Sequence, residues 1–312
     1  MKNLEIGIYD DLSIEDYHEN KAILSSTGIK EAKKSSRHLA YYLTKEQERK
    51  SHFDFGNAFE VALLDAIAGT NDIDSMIGVR QTEKWSEDAL KEKPELKSVK
   101  ASKAYKDAKD AFEKENDAKY LIDDVGVESW EVIQEMIASC KADKTITAIL
   151  EKTDYQKSFV WQDPDTGLLC KTRPDLAVNR QKVIVDIKTD LDASPQAFFR
   201  KAANLDYPMQ ATMQIEGVEQ SGYIDKVDDY YWLVVEKVAP YNAQLYRFQE
   251  KDREMIYDAF KYYISRAAKV INDIKEGKIA SYTDVNGYRE SSDNAHGVID
   301  FDLPLYYSYN LR

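Results

Sequence analysis

Cysteine is scarce in this sequence. Only Cys140 and Cys170 occur among the 312 residues, and no histidine stands close to either. Two thiolates are too few for a four-cysteine iron–sulfur cluster or a cysteine-based structural zinc site. We therefore expect two reduced, buried thiols of the kind usual in cytosolic proteins, with no redox or metal chemistry.

Long apolar segments are also missing. The first eleven residues contain no apolar run of signal-peptide length and reach acidic residues early. No uncharged apolar run approaches the roughly 18 residues that suggest a membrane span. Because 43% of the residues are hydrophobic, the chain can still bury a large core. These features predict a soluble, cytoplasmic globular protein with no membrane partner.

Positive charge is in deficit, since 43 basic residues face 56 acidic ones and the formal net charge is −13. Nonspecific binding to nucleic acid depends on neutralising phosphates, so this composition is unlike that of a protein whose whole surface is basic. An acidic protein can nevertheless carry a local basic track. One basic cluster consists of Lys30, Lys33, Lys34, Arg37 and His38. Such a cluster is either an ordinary solvated surface or a contact for a polyanion.

Hydrophobic patterns along the chain predict helices first and a sheet later. Between about residues 10 and 150 the periodicity is helical, with a buried stripe that comprises Phe55, Phe59, Ala62, Leu63 and Ala66. Strand patterns appear after about residue 155, and we predict that the first three strands form a meander. The predicted strands are 158–162, 168–178, 182–189, 230–236 and 244–248. The predicted helices of this part are 195–203, 207–220 and 251–275.

This order of elements predicts an α/β fold with a central mixed β-sheet flanked by helices and a helical N-terminal region. We expect a single domain over residues 1–280, with its helical part at about 10–150 and its sheet core at about 155–275. Residues 281–312 are predicted to form an irregular C-terminal tail.

Candidate chemistry lies in two short segments separated by ten residues. The first segment ends at Asp175, and the second runs from Asp186 to Lys188. Because side chains alternate along a strand, Asp186 and Lys188 share one face while Ile187 points to the other. A structural ion pair is the simplest explanation for a carboxylate and an ammonium on a buried strand.

Asp175 favours a different explanation. It lies near the end of the preceding predicted strand, where antiparallel pairing could bring its carboxylate next to Asp186. Two ionised carboxylates in contact require a cation between them. Hard oxygen ligands favour Mg²⁺ or Mn²⁺.

The two segments, from Pro174-Asp175 to Asp186-Ile187-Lys188, resemble the motif of PD-(D/E)XK nucleases. Further segments resemble the exonuclease VIII (RecE-like) group of phage-type recombination nucleases, and they occur in the order typical of that group. These segments are residues 12–18 (LSIEDYH), 24–30 (LSSTGIK), 55–64 (FGNAFEVALL) and 209–213 (MQATM).

The resemblance implies a restriction-endonuclease-like core and a role for each matching residue. Asp175 and Asp186 would hold the metal, with the carbonyl of Ile187 as a further ligand. Lys188 would position or activate the attacking water. Gln210 would lie on the helix after the sheet strands and orient Lys188 or the DNA.

Two positions depart from the family pattern. Glu60 stands where relatives often carry histidine, so it is either a third oxygen ligand or an ordinary solvated glutamate. Gln214 stands where relatives tend to have an aromatic residue, although it shares a helical face with Gln210. The candidate DNA contacts are Lys30, Lys33, Lys34, Arg37 and Arg173.

The implied activity is that of a 5′-to-3′ double-strand DNA exonuclease that produces single-stranded overhangs for annealing-type recombination in a bacterial or phage-infected cell. Its implied partners are duplex DNA ends and a single-strand annealing protein. A homo-oligomeric ring around DNA would reconcile the charge of −13 with a polyanionic substrate. The alternatives are a related nuclease of other polarity or endonucleolytic action, and a DNA-end-binding protein that keeps the fold without catalysis.

Overall fold

The computed structural model describes residues 4–10, 12–45, 54–69, 73–117, 119–151, 154–155 and 157–288. Within these ranges the strands are β1 Gly7–Tyr9, β2 Ile77–Arg80, β3 Tyr120–Asp123, β4 Asp154–Tyr155, β5 Ser158–Gln162, β6 Leu169–Thr172, β7 Leu176–Val178, β8 Val183–Asp190, β9 Asp229–Glu236 and β10 Ala243–Arg247. The helices are α1 Ile14–Glu19, α2 Ser26–Lys34, α3 Ser36–Thr44, α4 Asp54–Ala68, α5 Ile73–Met76, α6 Thr82–Glu92, α7 Lys103–Glu115, α8 Trp130–Ala142, α9 Lys144–Leu150, α10 Pro195–Asn204, α11 Tyr207–Gln220 and α12 Glu250–Lys275.

A five-stranded mixed sheet in the order β10-β9-β8-β7-β4 forms the centre of the fold. Strands β8 and β9 run parallel, and the other neighbours are antiparallel. One face of the sheet, which includes Val185 and Ile187, packs against α4 and α8. The opposite face, which includes Ile184 and Trp232, packs against α10 and α11. The predicted α/β class with a mixed sheet flanked by helices is confirmed.

The predicted strand over residues 168–178 is wrong, and so is the meander. Its first half is β6, which pairs with β5 in a separate three-stranded sheet of order β1-β5-β6. Its second half is β7, which pairs with β8 in the central sheet. Pro174 lies between the two halves, and proline has no N–H to donate to a ladder and also restricts the residue before it. The break places Asp175 at the entrance of β7.

The N-terminal half is less uniformly helical than its sequence predicts. Strand β1 pairs with β5, and the parallel strands β2 and β3 form a small sheet of their own. Each of these strands is only three or four residues long, and strongly helix-favouring runs flank β2 and β3. A short strand of this kind leaves too few alternating positions to outweigh its helical surroundings.

Helices α2, α3, α11 and α12 share one hydrophobic core, which includes Ile29, Leu39 and Phe260. Helix α11 also lies close to the three-stranded β1-β5-β6 sheet, because Gly217 has no side chain. A Cβ atom at Gly217 would be 2.5 Å from the Trp161 ring and 2.6 Å from the Thr172 methyl group. This close approach packs the C-terminal half of α11 against β5 and β6.

Both cysteines are buried and free, as predicted. Within the described ranges, no helix combines the length and the apolar composition that crossing a bilayer requires. Part of the predicted irregular tail is described and includes a short 3₁₀ turn at Tyr282–Asp284. Residues 289–312 of that predicted tail lie outside the described residues.

Lys171 is a fully buried cation on β6. Its Nζ donates 2.8 Å to the carbonyl oxygen of Asn20 and also donates to the carbonyl oxygen of Tyr17. These bonds connect the end of α1 to the three-stranded β1-β5-β6 sheet. Burial lowers the pKa of Lys171 to about 8, from 10.5.

This shift predicts a pH dependence of stability. Between about pH 8 and 10.5 the unfolded chain holds a proton on Lys171 that the folded protein has lost. The free energy of unfolding should therefore rise with pH across this window, by up to about 1.4 kcal/mol per pH unit from this group. This pH dependence can be measured by urea denaturation of the wild type and of Lys171→Met. The series would run from about pH 7.5 to about pH 9.5, roughly the lower part of that window. Equal pH slopes for the two proteins would contradict the assignment.

Candidate active site

The candidate site lies where β7 enters the central sheet beside the middle of β8. Leu176 of β7 pairs with Val185 of β8, so the residue before Leu176 lies next to the residues that follow Val185. That residue is Asp175, and its Oδ2 accepts a 2.6 Å hydrogen bond from the backbone N–H of Ile187. Two acidic side chains, Asp175 and Asp186, are thereby held on neighbouring strands.

Asp186 is fully buried and its two oxygens have different surroundings. Oδ1 accepts a 3.0 Å hydrogen bond from Nε2 of Gln210. Oδ2 is 2.5 Å from Nζ of Lys188. This ion pair does not have hydrogen-bond geometry, and Oδ2 accepts no hydrogen bond from the residues that the structure describes. Asp186 and Lys188 share a face of β8, as strand alternation predicts.

The charged groups at the site shift one another's pKa values. Burial raises the pKa of Asp175 well above its usual range, and the negative charges of Glu60 and Asp186 add to this rise. For Lys188, burial opposes the charged form, but the carboxylates of Asp186 and Asp175 outweigh it and raise the pKa. Lys188 is therefore an ammonium at neutral pH, which can donate hydrogen bonds but cannot accept them.

Glu60 lies on α4, which crosses the sheet near the end of β8. One turn earlier, a Cβ at Gly56 would be 3.8 Å from the Thr189 hydroxyl. The Glu60 charge contributes to the raised pKa of Asp175. Burial lowers the pKa of the Arg173 guanidinium, and Glu60 opposes that shift. Glu60 thus interacts electrostatically with both Asp175 and Arg173.

The acidic side chains of the site fit a metal ion only in part. Among the described residues, no group of three or more His, Cys, Asp or Glu side chains has an arrangement that could hold one. Glu60, Asp175 and Asp186 therefore do not form a complete ligand cage. Oδ2 of Asp186 is buried and is paired with the Lys188 ammonium without a hydrogen bond of good geometry, and the acidic neighbours of Asp175 disfavour its ionised form. A divalent cation with a preference for oxygen ligands would relieve both, so these two residues fit such an ion.

Gln210 lies on the first turns of α11 and connects two charged groups. The sequence predicts a contact with Lys188 or DNA, whereas the structure places the Gln210 amide between Asp186 and Lys30. Its Nε2 donates to Asp186, and its Oε1 accepts a 3.0 Å hydrogen bond from Nζ of Lys30. Tyr207, on the same helix, lies between two ammonium groups: its ring centroid is 5.6 Å from Nζ of Lys30 and 5.1 Å from Nζ of Lys188.

A second aromatic side chain, Tyr230, reaches this region from β9. The hydroxyl of Tyr230 donates a 2.6 Å hydrogen bond to Oε1 of Gln214, and both residues are buried. Burial raises the pKa of Tyr230 well above its usual value, and the charges of Asp186 and Asp175 add to this effect. Neither Tyr207 nor Tyr230 was predicted from the sequence as a site residue, because no local pattern links either residue to β8.

The predicted DNA contacts are placed in different surroundings. Lys30 lies beside the acidic site, and Lys33 forms an ion pair with Asp206. Lys34 pairs with Glu31 at 2.7 Å on the surface of α2. Nε of Arg37 donates 2.7 Å to the carbonyl oxygen of Val285, and Nη1 of Arg173 donates 2.8 Å to that of Leu12. Lys33, Lys34 and Arg37 of the basic cluster therefore contact acceptors of the protein itself.

A mixed sheet that presents two acidic residues and a lysine from adjacent strands is typical of nuclease-type domains of the PD-(D/E)XK class. The family model described as "PDDEXK-like domain of unknown function (DUF3799)" matches residues 25–284, and the chain belongs to this family. Among solved structures, the fold is similar to that of a Eubacterium rectale protein named a "putative exonuclease". The two share 14% identity over 95% of this chain and 96% of that chain, with a TM-score of 0.53. No curated protein matches the sequence significantly.

Proposed function

We propose that this protein is a Mg²⁺- or Mn²⁺-dependent deoxyribonuclease that degrades duplex DNA from its ends in the 5′-to-3′ direction. The observation that carries the nuclease proposal is the placement of Asp175, Asp186 and Lys188 on two adjacent strands. Family membership and the fold of the Eubacterium rectale protein support the same class. The 5′-to-3′ direction rests on the resemblance to RecE-like exonucleases.

The side chains have separate tasks in this proposal. Asp175 and Asp186 would hold the divalent ion, with the carbonyl of Ile187 as a further ligand. Glu60 would complete the set by turning its side chain towards the ion, because the three carboxylates do not form a cage as they stand. When bound, such an ion stabilises charge on the phosphate and lowers the pKa of a coordinated water. Lys188 would donate hydrogen bonds to the attacking water or to a phosphate oxygen, because its raised pKa keeps it protonated. Gln210 would hold Asp186 in a fixed orientation.

We also propose that the overhangs left by this activity serve a single-strand annealing protein in recombination. Several copies of the chain would form a ring around DNA. A ring collects the basic residues of several copies into one channel, which is how a chain of net charge −13 could hold a polyanion. Of the proposed DNA contacts, Lys30 reaches the acidic site through Gln210 and Arg173 interacts with Glu60 and Asp175, and Lys33, Lys34 and Arg37 would lie farther along the path. A strictly monomeric protein in light scattering would contradict the ring.

A nuclease assay tests the proposal directly. The purified protein is incubated with linear duplex DNA labelled at either the 5′ or the 3′ ends and with a covalently closed circle, in Mg²⁺, Mn²⁺ or EDTA. We expect metal-dependent loss of 5′ label as mononucleotides from linear DNA, and an intact circle. Release of 3′ label first would reverse the direction. Cleavage of the circle would favour an endonuclease, and binding of ends without degradation would favour a catalytically inactive binding protein.

A further inference from the structure

Lys30 connects the N-terminal helices to the acidic site through a single side chain. It lies on α2, and its Nζ is 3.0 Å from Oε1 of Gln210. The other end of the same amide is 3.0 Å from Oδ1 of Asp186. Lys30 is partly buried, and its Nζ also lies 5.6 Å from the centre of the Tyr207 ring. The three residues Lys30, Gln210 and Asp186 thus form a chain of two hydrogen bonds.

The chemistry of these groups determines which end of the Gln210 amide faces Lys30 and which faces Asp186. An ammonium has three donors and no acceptor, and an ionised carboxylate has only acceptors. The amide between them must therefore present its oxygen to Lys30 and its NH₂ group to Asp186. If the amide were reversed, its oxygen would face the carboxylate and its NH₂ group would face the ammonium, and neither contact would be a hydrogen bond. Lys30 removes this second orientation.

We propose that Lys30 is a positioning residue that fixes the Gln210 amide, so that Asp186 keeps its orientation for binding a divalent cation. The inference rests on the nuclease function proposed above and names a residue that would act on the ligand set from outside it. Partners of this kind orient metal ligands, and their loss typically weakens metal binding by about 10- to 100-fold. Burial, with the nearby charge of Lys188, lowers the pKa of Lys30 to about 8, so Lys30 is still mostly protonated at neutral pH.

The competing role for Lys30 is direct contact with a DNA phosphate. The two roles predict different measurements. A phosphate contact alone would affect DNA affinity and reduce its salt dependence by about one counterion, and it would leave metal binding unchanged. A positioning role would weaken metal binding when no DNA is present.

The test is isothermal titration of the full-length protein with Mg²⁺ and Mn²⁺ in the absence of DNA. We expect Lys30→Met and Gln210→Ala each to weaken metal binding by about 10-fold. The double variant should be no weaker than either single one, since both changes break one chain of bonds. Lys91→Met is the matched control, because Lys91 pairs with Asp88 on the exposed surface of α6 and has no part in the proposed site. It should bind metal like the wild type.

A second measurement does not need the metal. In EDTA, the unfolding free energies of the wild type, the two single variants and the double variant form a cycle, which also reveals any variant that does not fold. Non-additive losses support the chain of bonds. Additive losses would overturn the proposal, as would wild-type metal affinity in Lys30→Met.

The two proposals fail in different ways. A wild type that binds metal but degrades no DNA would overturn the nuclease function and leave the role of Lys30 to be decided by the titration. A wild type that binds no metal would also overturn the nuclease function, and the cycle in EDTA would still decide whether Lys30 and Gln210 are coupled. If the wild type is active and Lys30→Met binds metal as tightly as the wild type does, only the inference about Lys30 is overturned.

Discussion

Asp186→Asn should reduce metal-dependent DNA degradation by at least about 10³-fold. Asparagine has nearly the shape of aspartate, and its side-chain oxygen can still accept the hydrogen bond from Gln210. It lacks the negative charge that a divalent cation requires, and its NH₂ group replaces a ligand oxygen. We therefore expect the variant to lose measurable binding of Mg²⁺ and, because Lys188 loses its partner charge, some stability as well. Degradation of labelled linear DNA and isothermal titration measure the two effects.

Asp190→Asn is a matched control for this change. Asp190 lies on the same strand and the same face, four residues farther along, and it pairs with Lys201 at 2.8 Å. This variant should retain both metal binding and activity. Nearly full activity of Asp186→Asn would contradict the proposed centre. Equal losses in both variants would indicate that any change to β8 is disruptive.

The parts of the site that follow local rules were predictable from the sequence. Alternation along β8 is enough to place Asp186 and Lys188 on one face, because the period of a strand is two residues. The antiparallel pairing of β7 and β8 also follows from the short connection between them. Asp175 was expected near the end of a strand and lies at the entrance of β7. The break that places it there is a local effect of Pro174, which the prediction of a single strand over residues 168–178 did not take into account.

The remaining contacts depend on packing between distant segments. Lys30 and Gln210 are separated by 180 positions and meet because α2 and α11 share a core. No local pattern in the sequence indicates that meeting. The same is true of Tyr230, which reaches Gln214 from the neighbouring strand β9. Glu60 was noticed only through the family resemblance, and its electrostatic coupling to Asp175 depends on how α4 crosses the sheet.

Lys188→Met should lower the rate of DNA degradation by about 10²- to 10³-fold, the range typical of losing one transition-state donor. Methionine fills a similar volume but donates no hydrogen bond to water or phosphate. The effect on metal binding should be opposite to that of Asp186→Asn. Lys188 provides a positive charge 2.5 Å from Asp186 Oδ2, and like charges repel a cation. Removal of that ammonium should leave Mg²⁺ affinity unchanged or raise it.

The combination of weaker catalysis with equal or tighter metal binding distinguishes Lys188 from a merely structural ion-pair partner. Lys201→Met is the control, since Lys201 on helix α10 pairs with Asp190 of β8 and should be dispensable. Activity within a few-fold of the wild type would remove Lys188 from the proposed mechanism. Parallel loss of metal binding, activity and thermal stability would instead show that the Asp186–Lys188 pair mainly stabilises the fold, because removing one partner of a buried ion pair leaves an uncompensated charge.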